Sequence, residues 1–361
     1  MENFEQAIES IRQSDAKSQE ATLNRQLTLT KPANSLGVLE ELSIQLAGIK
    51  SSCPPPLILN PALAVFASDH GVVDEKVTPW PSEITRQMVA NFLEGGAAVS
   101  VIANALNIKM VVVDVGVAGD ELNLEGLINK RVAPGTKNIL KEDAMTTLEA
   151  KACLNAGFEV AQELVESGAD LLVTGDMGIG NTTPSAAIIS AFTGLVPREV
   201  TGRGTGIDDE FWHRKVSVIQ EAHLRSGIAQ PGSMPSVEKM DPVLVLAAVG
   251  GFEIGAIAGF ILGAASRGMP VVIDGVIAAA GALVANALAP YSRDYMIAGH
   301  LSVEPGAKAA LEYLEKRPLL NLDMRLGEGT GACLAVPIVQ VAAKIINEMA
   351  TFDEANVTEK E

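Results

Sequence analysis

The chain has 361 residues, enough for one large domain or two smaller ones, and it is 48% hydrophobic but only 4% aromatic, with 33 glycines; many small residues and few rings suit an α/β protein of closely packed units. A formal net charge of −17 argues against a nucleic-acid surface, yet leaves room for a phosphorylated ligand held in a local pocket. Cys53, Cys153 and Cys333 lie far apart, which argues against a disulfide framework or a zinc site and fits a reducing, cytoplasmic compartment.

The start, Met1-Glu2-Asn3-Phe4, is polar and acidic, unlike a signal peptide. Residues 1–30 show weak helical periodicity, Lys31-Pro32 breaks it, and residues 36–49 read as an amphipathic helix. Ser51-Ser52-Cys53-Pro54-Pro55-Pro56 reads as a linker and a domain boundary. Residues 62–68 form a continuous apolar run, the signature of a buried parallel strand, and end in Asp69-His70-Gly71. Ser82, with Glu83 and Thr85, opens a helix through Met88 and Phe92, and a second helix runs to about Asn107. Residues 110–115 are a second strand, 119–142 an irregular excursion and 145–167 a helix. A third strand at 169–174 runs into a glycine-rich loop, 175–183, and then a helix. Another glycine loop, 202–206, precedes a helix from about Asp208. Residues 242–267 are apolar and glycine-rich, and the run between Glu253 and Arg267 is too short for a bilayer, which needs about 20 residues. A fourth strand at 270–275 leads to a helix ending near Leu288, and a fifth at 294–298 ends in Gly299-His300. A helix through Lys316 follows. Residues 324–332 then set Glu328 between glycines, with Arg325 three residues before it and a helix opening near Thr330. The acidic tail after Phe352 reads as solvated.

Strand, loop and helix recur at irregular spacing, so the expected fold is a parallel sheet with helices on both faces. Glycine loops at several strand ends then share one crevice. A closed eight-fold barrel is the rival, with too few clear strands to support it.

The loop at 175–183 matches neither G-x-G-x-x-G nor a P-loop. It reads either as a tight turn or as an anion cradle of backbone N–H groups with Thr182 and Thr183. Arg203 on the second glycine loop, with Lys215 downstream, suits phosphate, against the alternative of a solvated helix face for Lys215. His70 and His300 sit at strand ends, where a hydrogen-bonded structural role competes with metal ligation that no paired spacing supports. No G-x-S-x-G elbow is present. The carboxylates Asp69, Asp176, Glu253, Asp274, Glu304 and Glu328 remain, beside the glycine loops. Together they suit chemistry that needs a base and a phosphate grip, with the substrate supplying its own leaving group.

Eight segments in order carry a resemblance: SDHGVV (68–73), TRQMVANFLEGGAAVS (85–100), GDMGIGNTTPSAA (175–187), GRGTGIDDE (202–210), GGFEIGAIAG (250–259), DGVIAAAGAL (274–283), GHLSVEPG (299–306) and MRLGEGTGA (324–332). With them the chain, over about residues 31–345, resembles the nicotinate-nucleotide–dimethylbenzimidazole phosphoribosyltransferases. The resemblance implies transfer of the phosphoribosyl group of nicotinate mononucleotide to 5,6-dimethylbenzimidazole, in the assembly of the cobalamin nucleotide loop. It implies neither metal nor cofactor. Glu328 matches the general base that takes the acceptor ring's N–H proton. Asp176 stands where many relatives carry Glu. Ser82, Gln87 and Met88 match the benzimidazole pocket, with Thr78 the alternative to Ser82. Gly178, Gly180, Asn181, Thr182, Gly204, Thr205, Gly206, Lys215, Ser302, Arg325 and Gly327 match positions around the mononucleotide and its phosphate. The resemblance also implies a large α/β domain at 55–315, a Rossmann-like, mostly parallel sheet with helices on both faces, and a small helical domain of 1–54 and 316–361. It further implies a homodimer whose active sites are shared between subunits. A non-catalytic mononucleotide-binding or sensor protein on the same fold is the reading from another class.

Overall fold

The computed structural model describes residues 4–204, 206–237 and 240–358. Six parallel strands form one sheet: β1 (Pro61–Ser68), β2 (Lys109–Gly116), β3 (Leu127–Asn129), β4 (Leu171–Met177), β5 (Val271–Ile273) and β6 (Met296–Ala298). Their spatial order is β3-β2-β1-β4-β5-β6. The chain therefore winds outward from β1 in one direction, returns, and winds outward from β4 in the other. The reversal falls between β1 and β4, which pair in parallel from Pro61↔Leu171 to Ala67↔Met177. An open sheet of this order opens a crevice beyond the carboxyl ends of the two central strands. With β3 and β6 as its edges, the sheet is not a closed barrel.

β1 is buried along its whole length, as its unbroken apolar run requires. One face of the sheet is covered by the helices Thr147–Glu166, Phe252–Ser266 and Val276–Leu288. The first two approach so closely that a Cβ at Gly157 would collide with the Ala256 carbonyl, and one at Gly259 with the Leu154 carbonyl. The glycines of 242–267 thus remove side chains where helix backbones touch. The other face packs Leu42 and Leu46 of helix Val38–Lys50 with Val336 and Val339 of helix Thr330–Glu348, over Leu63, Val65 and Val173. The helix Thr330–Glu348 and the stretch Glu83–Ala105 are apolar and long enough to cross a bilayer by length and composition. In this fold the former is a core helix, and the latter breaks at Gly95-Gly96 into two shorter ones.

The terminal segments meet. Leu29 forms an antiparallel bridge with Thr351. Thr30 N–H donates to the Ala350 carbonyl at 3.0 Å and Arg25 Nε to the Ile346 carbonyl at 2.8 Å. Asn347 Nδ2 reaches back to the Pro55 carbonyl at 2.8 Å.

Three local expectations need correction. The excursion at 119–142 contains β3, too short to show a pattern. The third strand does not stop at Thr174 but runs to Met177, so Gly175 and Asp176 are strand and not loop. Gly175 is needed there because a Cβ would meet the Glu328 carbonyl oxygen. Ser82 precedes helix Glu83–Leu93 in αR geometry and makes no side-chain cap, since a capping residue needs extended backbone to turn its hydroxyl onto the first turn.

Candidate active site

The crevice beyond β1 and β4 holds a cavity. Its floor is Asp176 and Met177 of β4, followed by Gly178 to Thr182, where helix Thr182–Thr193 begins. Lys215, from helix Asp209–Arg225, enters at one side with Arg203 and Gly204. Gly275 and Val276 after β5 and Ser302 and Glu304 after β6 close the back, and Arg325 to Glu328 overlie it. Val77, Thr78, Trp80 and Met88 make a mostly apolar mouth.

Lys215 is fully buried, with Nζ donating to Thr182 Oγ1 at 2.7 Å. Burial pushes its ammonium down to about 8, against the opposing pull of the Glu304 carboxylate. A buried cation beside a hydroxyl at the start of a helix is chemically suited to an anion. Glu304 ties the neighbouring loop: its Oε1 accepts from Gly204 N–H at 2.8 Å, and its carboxylate occupies the space a side chain at Gly202 would fill. Gly204 N–H is therefore already engaged. Arg203 donates to the Ile207 carbonyl at 3.0 Å and pairs with Asp209. Ser302 Oγ is buried and accepts from Glu304 N–H at 3.3 Å.

Glu328 sits in a left-handed turn with Gly327 and Gly329, at φ +82, +64 and +99° in chain order. A non-glycine residue there costs about 1–2 kcal/mol and persists only where its surroundings hold it. Its carboxyl is buried, and Oε2 has no hydrogen-bond partner among the described residues. Burial raises it to about 7, assisted by the Asp274 charge and opposed by the Val99 N–H. A carboxyl poised near neutrality at a cavity wall is suited to proton transfer.

Asp176 has Oδ2 accepting from Asn181 Nδ2 at 3.0 Å and Oδ1 unpartnered among the described residues. Burial, then the charges of Asp274 and Glu253, hold it well above the usual carboxylate range. The shift favours its protonated form more than in an exposed aspartate, where the sequence alone suggested a plain charge.

Of the site residues expected from sequence, Met88, Asp176, Gly178, Gly180, Asn181, Thr182, Gly204, Lys215, Ser302, Arg325, Gly327 and Glu328 line this one cavity. Ser82 and Gln87 do not; Gln87 is exposed, turned about 100° around the helix from Met88. Gly206, at φ +101°, shapes its loop outside the lining, and Thr205 lies outside the described residues. His70 and His300 line no part of the cavity. His70 Nε2 lies 2.9 Å from Glu253 Oε1, and His300 Nε2 3.4 Å from Asp274 Oδ1. Sequence reasoning did not single out Glu304 as a loop anchor, nor Thr85, whose Oγ1 accepts from Ile179 N–H at 3.1 Å and so fixes the cradle. No local signal marks either, because both contacts are long-range.

A family described as phosphoribosyltransferase matches residues 11–357. A nicotinate-nucleotide–dimethylbenzimidazole phosphoribosyltransferase from Salinispora tropica is 48% identical, over 99% of this chain and 100% of the relative. One of the same name from Chloroflexus aggregans is 49% identical over 98% of each. The crystal structure of CobT from Thermus thermophilus superposes with a TM-score of 0.89 at 46% identity, covering 95% of this chain and 100% of that one. The chain belongs to the nicotinate-nucleotide–dimethylbenzimidazole phosphoribosyltransferase family.

Proposed function

We propose that the protein transfers the phosphoribosyl group of nicotinate mononucleotide to 5,6-dimethylbenzimidazole, yielding α-ribazole 5′-phosphate and nicotinate for cobalamin synthesis. A ring nitrogen of the acceptor bonds to the ribose anomeric carbon as the bond from that carbon to the pyridinium nitrogen breaks. The leaving pyridinium is already cationic, so it departs without a proton. The acceptor's other nitrogen surrenders its proton to Glu328. Asp176 supplies a polar contact near the reacting centre, and Lys215 with Thr182 and the Gly178–Asn181 turn holds the phosphate. Holding both rings in line across the ribose supplies much of the rate. The observation that carries this reading is the Glu328 carboxyl, buried at the cavity and poised near pH 7.

Met88, with Val77, Thr78 and Trp80, receives the flat acceptor ring, and Ser82, just before that helix, and Gln87, next to Met88, belong to its outer wall. Gly206, Ser302, Arg325 and Gly327 frame the mononucleotide. The protein works in the cytoplasm as a homodimer. The unit of 1–54 and 316–361 completes the partner's site beside the large unit of 55–315. The exposed Leu23 and Leu27, with Trp80 and Leu326 at the mouth, support that assembly as apolar surface a partner covers.

Mixing the protein with nicotinate mononucleotide and dimethylbenzimidazole should release nicotinate. Glu328→Gln should lower turnover roughly 10²–10⁴-fold with mononucleotide affinity kept. Unchanged turnover in that variant would remove Glu328 as the base.

A further inference from the structure

Helix Thr330–Glu348 carries the proposed base at its mouth, yet its N-cap residue is Gly329, which has no side chain to satisfy the first-turn amides. A carboxylate from another strand takes that place. Asp274, just past β5, accepts from Gly329 N–H through Oδ2 at 3.2 Å and from Ala332 N–H through Oδ1 at 2.8 Å. Its side chain is fully buried. His300, just past β6, lies with Nε2 3.4 Å from Asp274 Oδ1. The same ring occupies the space a Cβ at Gly331 would need. The backbone on the far side is equally constrained. A Cβ at Gly329 would stand 2.7 Å from Leu63 Cδ1 and 3.0 Å from the Thr174 carbonyl oxygen, and a Cβ at Gly299 would stand 2.7 Å from the Ala332 Cα. The Glu328 turn is thus seated between strand ends, and Asp274 is its polar anchor.

We propose that Asp274, backed by His300, is the positioning residue of the reaction: it caps the helix behind Glu328 from outside and so sets where the base carboxylate stands. The proposal rests on the reading of Glu328 as general base. Asp274 does not line the cavity and touches no substrate in this role. Its two oxygens each meet an N–H, so only a carboxylate fits. An Asn would present a donor to one of the two amides and leave that amide unpaired. Its charge also acts on Glu328 directly and disfavours proton loss there. The other titratable or charged groups around the turn come from every side. Asp176 stands on β4, Glu253 on helix Phe252–Ser266 with His70 and Asp69 behind it, and His300 and Glu304 after β6. Arg325 lies on the same segment.

The test is a cycle of Asp274→Asn, Glu328→Gln and the double variant in the full-length protein. Turnover, the pH profile of kcat, and mononucleotide affinity by calorimetry without acceptor are the readouts. Asp274→Asn should lower kcat roughly 10–100-fold, on the scale of a misplaced catalytic group, with mononucleotide Kd within about 3-fold of wild type. Its acid limb should move to lower pH by roughly 0.3–1 unit, since a negative neighbour of the base is gone. In the Glu328→Gln background the same change should cost almost nothing, because there is no base left to position. A purely structural Asp274 would add its loss in both backgrounds, and that result overturns the positioning role; an acid limb left in place overturns the direct action of its charge on Glu328. If Glu328→Gln is fully active, the general-base reading itself fails; if Glu328→Gln is inactive and Asp274→Asn is normal, only the positioning role fails. Should Asp274→Asn not fold, His300→Asn keeps both amide bonds to Asp274 while removing the ring behind Gly331. It should lower kcat severalfold with an unmoved acid limb, and an unchanged kcat would overturn the shared role.

Discussion

At the scale of single residues, the two groups that matter most are both displaced from their usual ionisation by burial. Glu328 titrates near 7 in the fold and near 4.5 when exposed. Between those values the folded state holds a proton that the unfolded state has lost, so stability declines as pH rises through that window. Glu328→Gln should therefore be more resistant to urea than wild type by roughly 1–3 kcal/mol at pH 8.5. The difference should fade toward pH 4.5; equal resistance at both pH values would contradict the burial. Lys215 has the opposite charge and a parallel constraint. With its ammonium near 8, the empty site loses its cation as pH rises above that value, and mononucleotide affinity should weaken there. Lys215→Met should raise the mononucleotide Kd roughly 10–100-fold at pH 7 and abolish that alkaline weakening. Calorimetry from pH 6.5 to 9.5 measures both. Sequence marked Glu328 by its glycine neighbours and Lys215 only by the resemblance and by its place downstream of a glycine loop. It did not show the upward shift of Asp176, because that shift comes from burial and then from the charges of Asp274 and Glu253 on other elements.

Among the secondary-structure elements, strands were legible where apolar residues run unbroken, as in β1 and β2 and even the three-residue β5, and illegible in β3, whose Leu127-Ile128 pair is followed at once by Asn129 and Lys130. The extent of β4 was hidden for a different reason. Glycine normally weakens a strand, yet Gly175 continues β4 because the Glu328 carbonyl lies where its side chain would be. The requirement comes from a distant loop, which no local pattern reports. The same logic explains the helix pair Thr147–Glu166 and Phe252–Ser266. Gly259→Val should force the two apart, costing about 1–3 kcal/mol of stability or more, with little change in turnover per folded molecule. Gly175→Ala should do the reverse, lowering turnover at least tenfold while the thermal midpoint moves little. Thermal unfolding followed by circular dichroism, beside the nicotinate-release assay, separates the two outcomes. A Gly175→Ala protein with full turnover would contradict the seating of the Glu328 turn on β4.

For the whole molecule, the reversal of winding between β1 and β4 places the crevice; sequence indicated a shared crevice through the polar and glycine-rich strand ends, but not the strand order that sets its position. Stability depends on other buried groups as well. His223, on helix Asp209–Arg225, has Nε2 3.0 Å from the Ala187 carbonyl, and burial lowers its pKa to about 4. Between that value and the ordinary 6.5, the unfolded chain takes up a proton that the fold refuses. Stability is then complete above about 6.5 and is lost as pH falls toward 4, by up to about 3 kcal/mol from this one group. His223→Gln should flatten that loss, read as the urea midpoint at pH 7 and pH 5; equal pH sensitivity in the two proteins would refute it. The arrangement of the cavity has a longer-term consequence. The β4 end beneath the proposed phosphate site and the turn of the proposed base are locked together at Gly175, where no side chain could be added. The mouth, by contrast, includes Val77 and Met88, whose side chains take no part in that contact. Substitutions there are free to accumulate without disturbing the rest, so a lineage can exchange one flat acceptor for another in a few steps while its donor and its chemistry stay fixed.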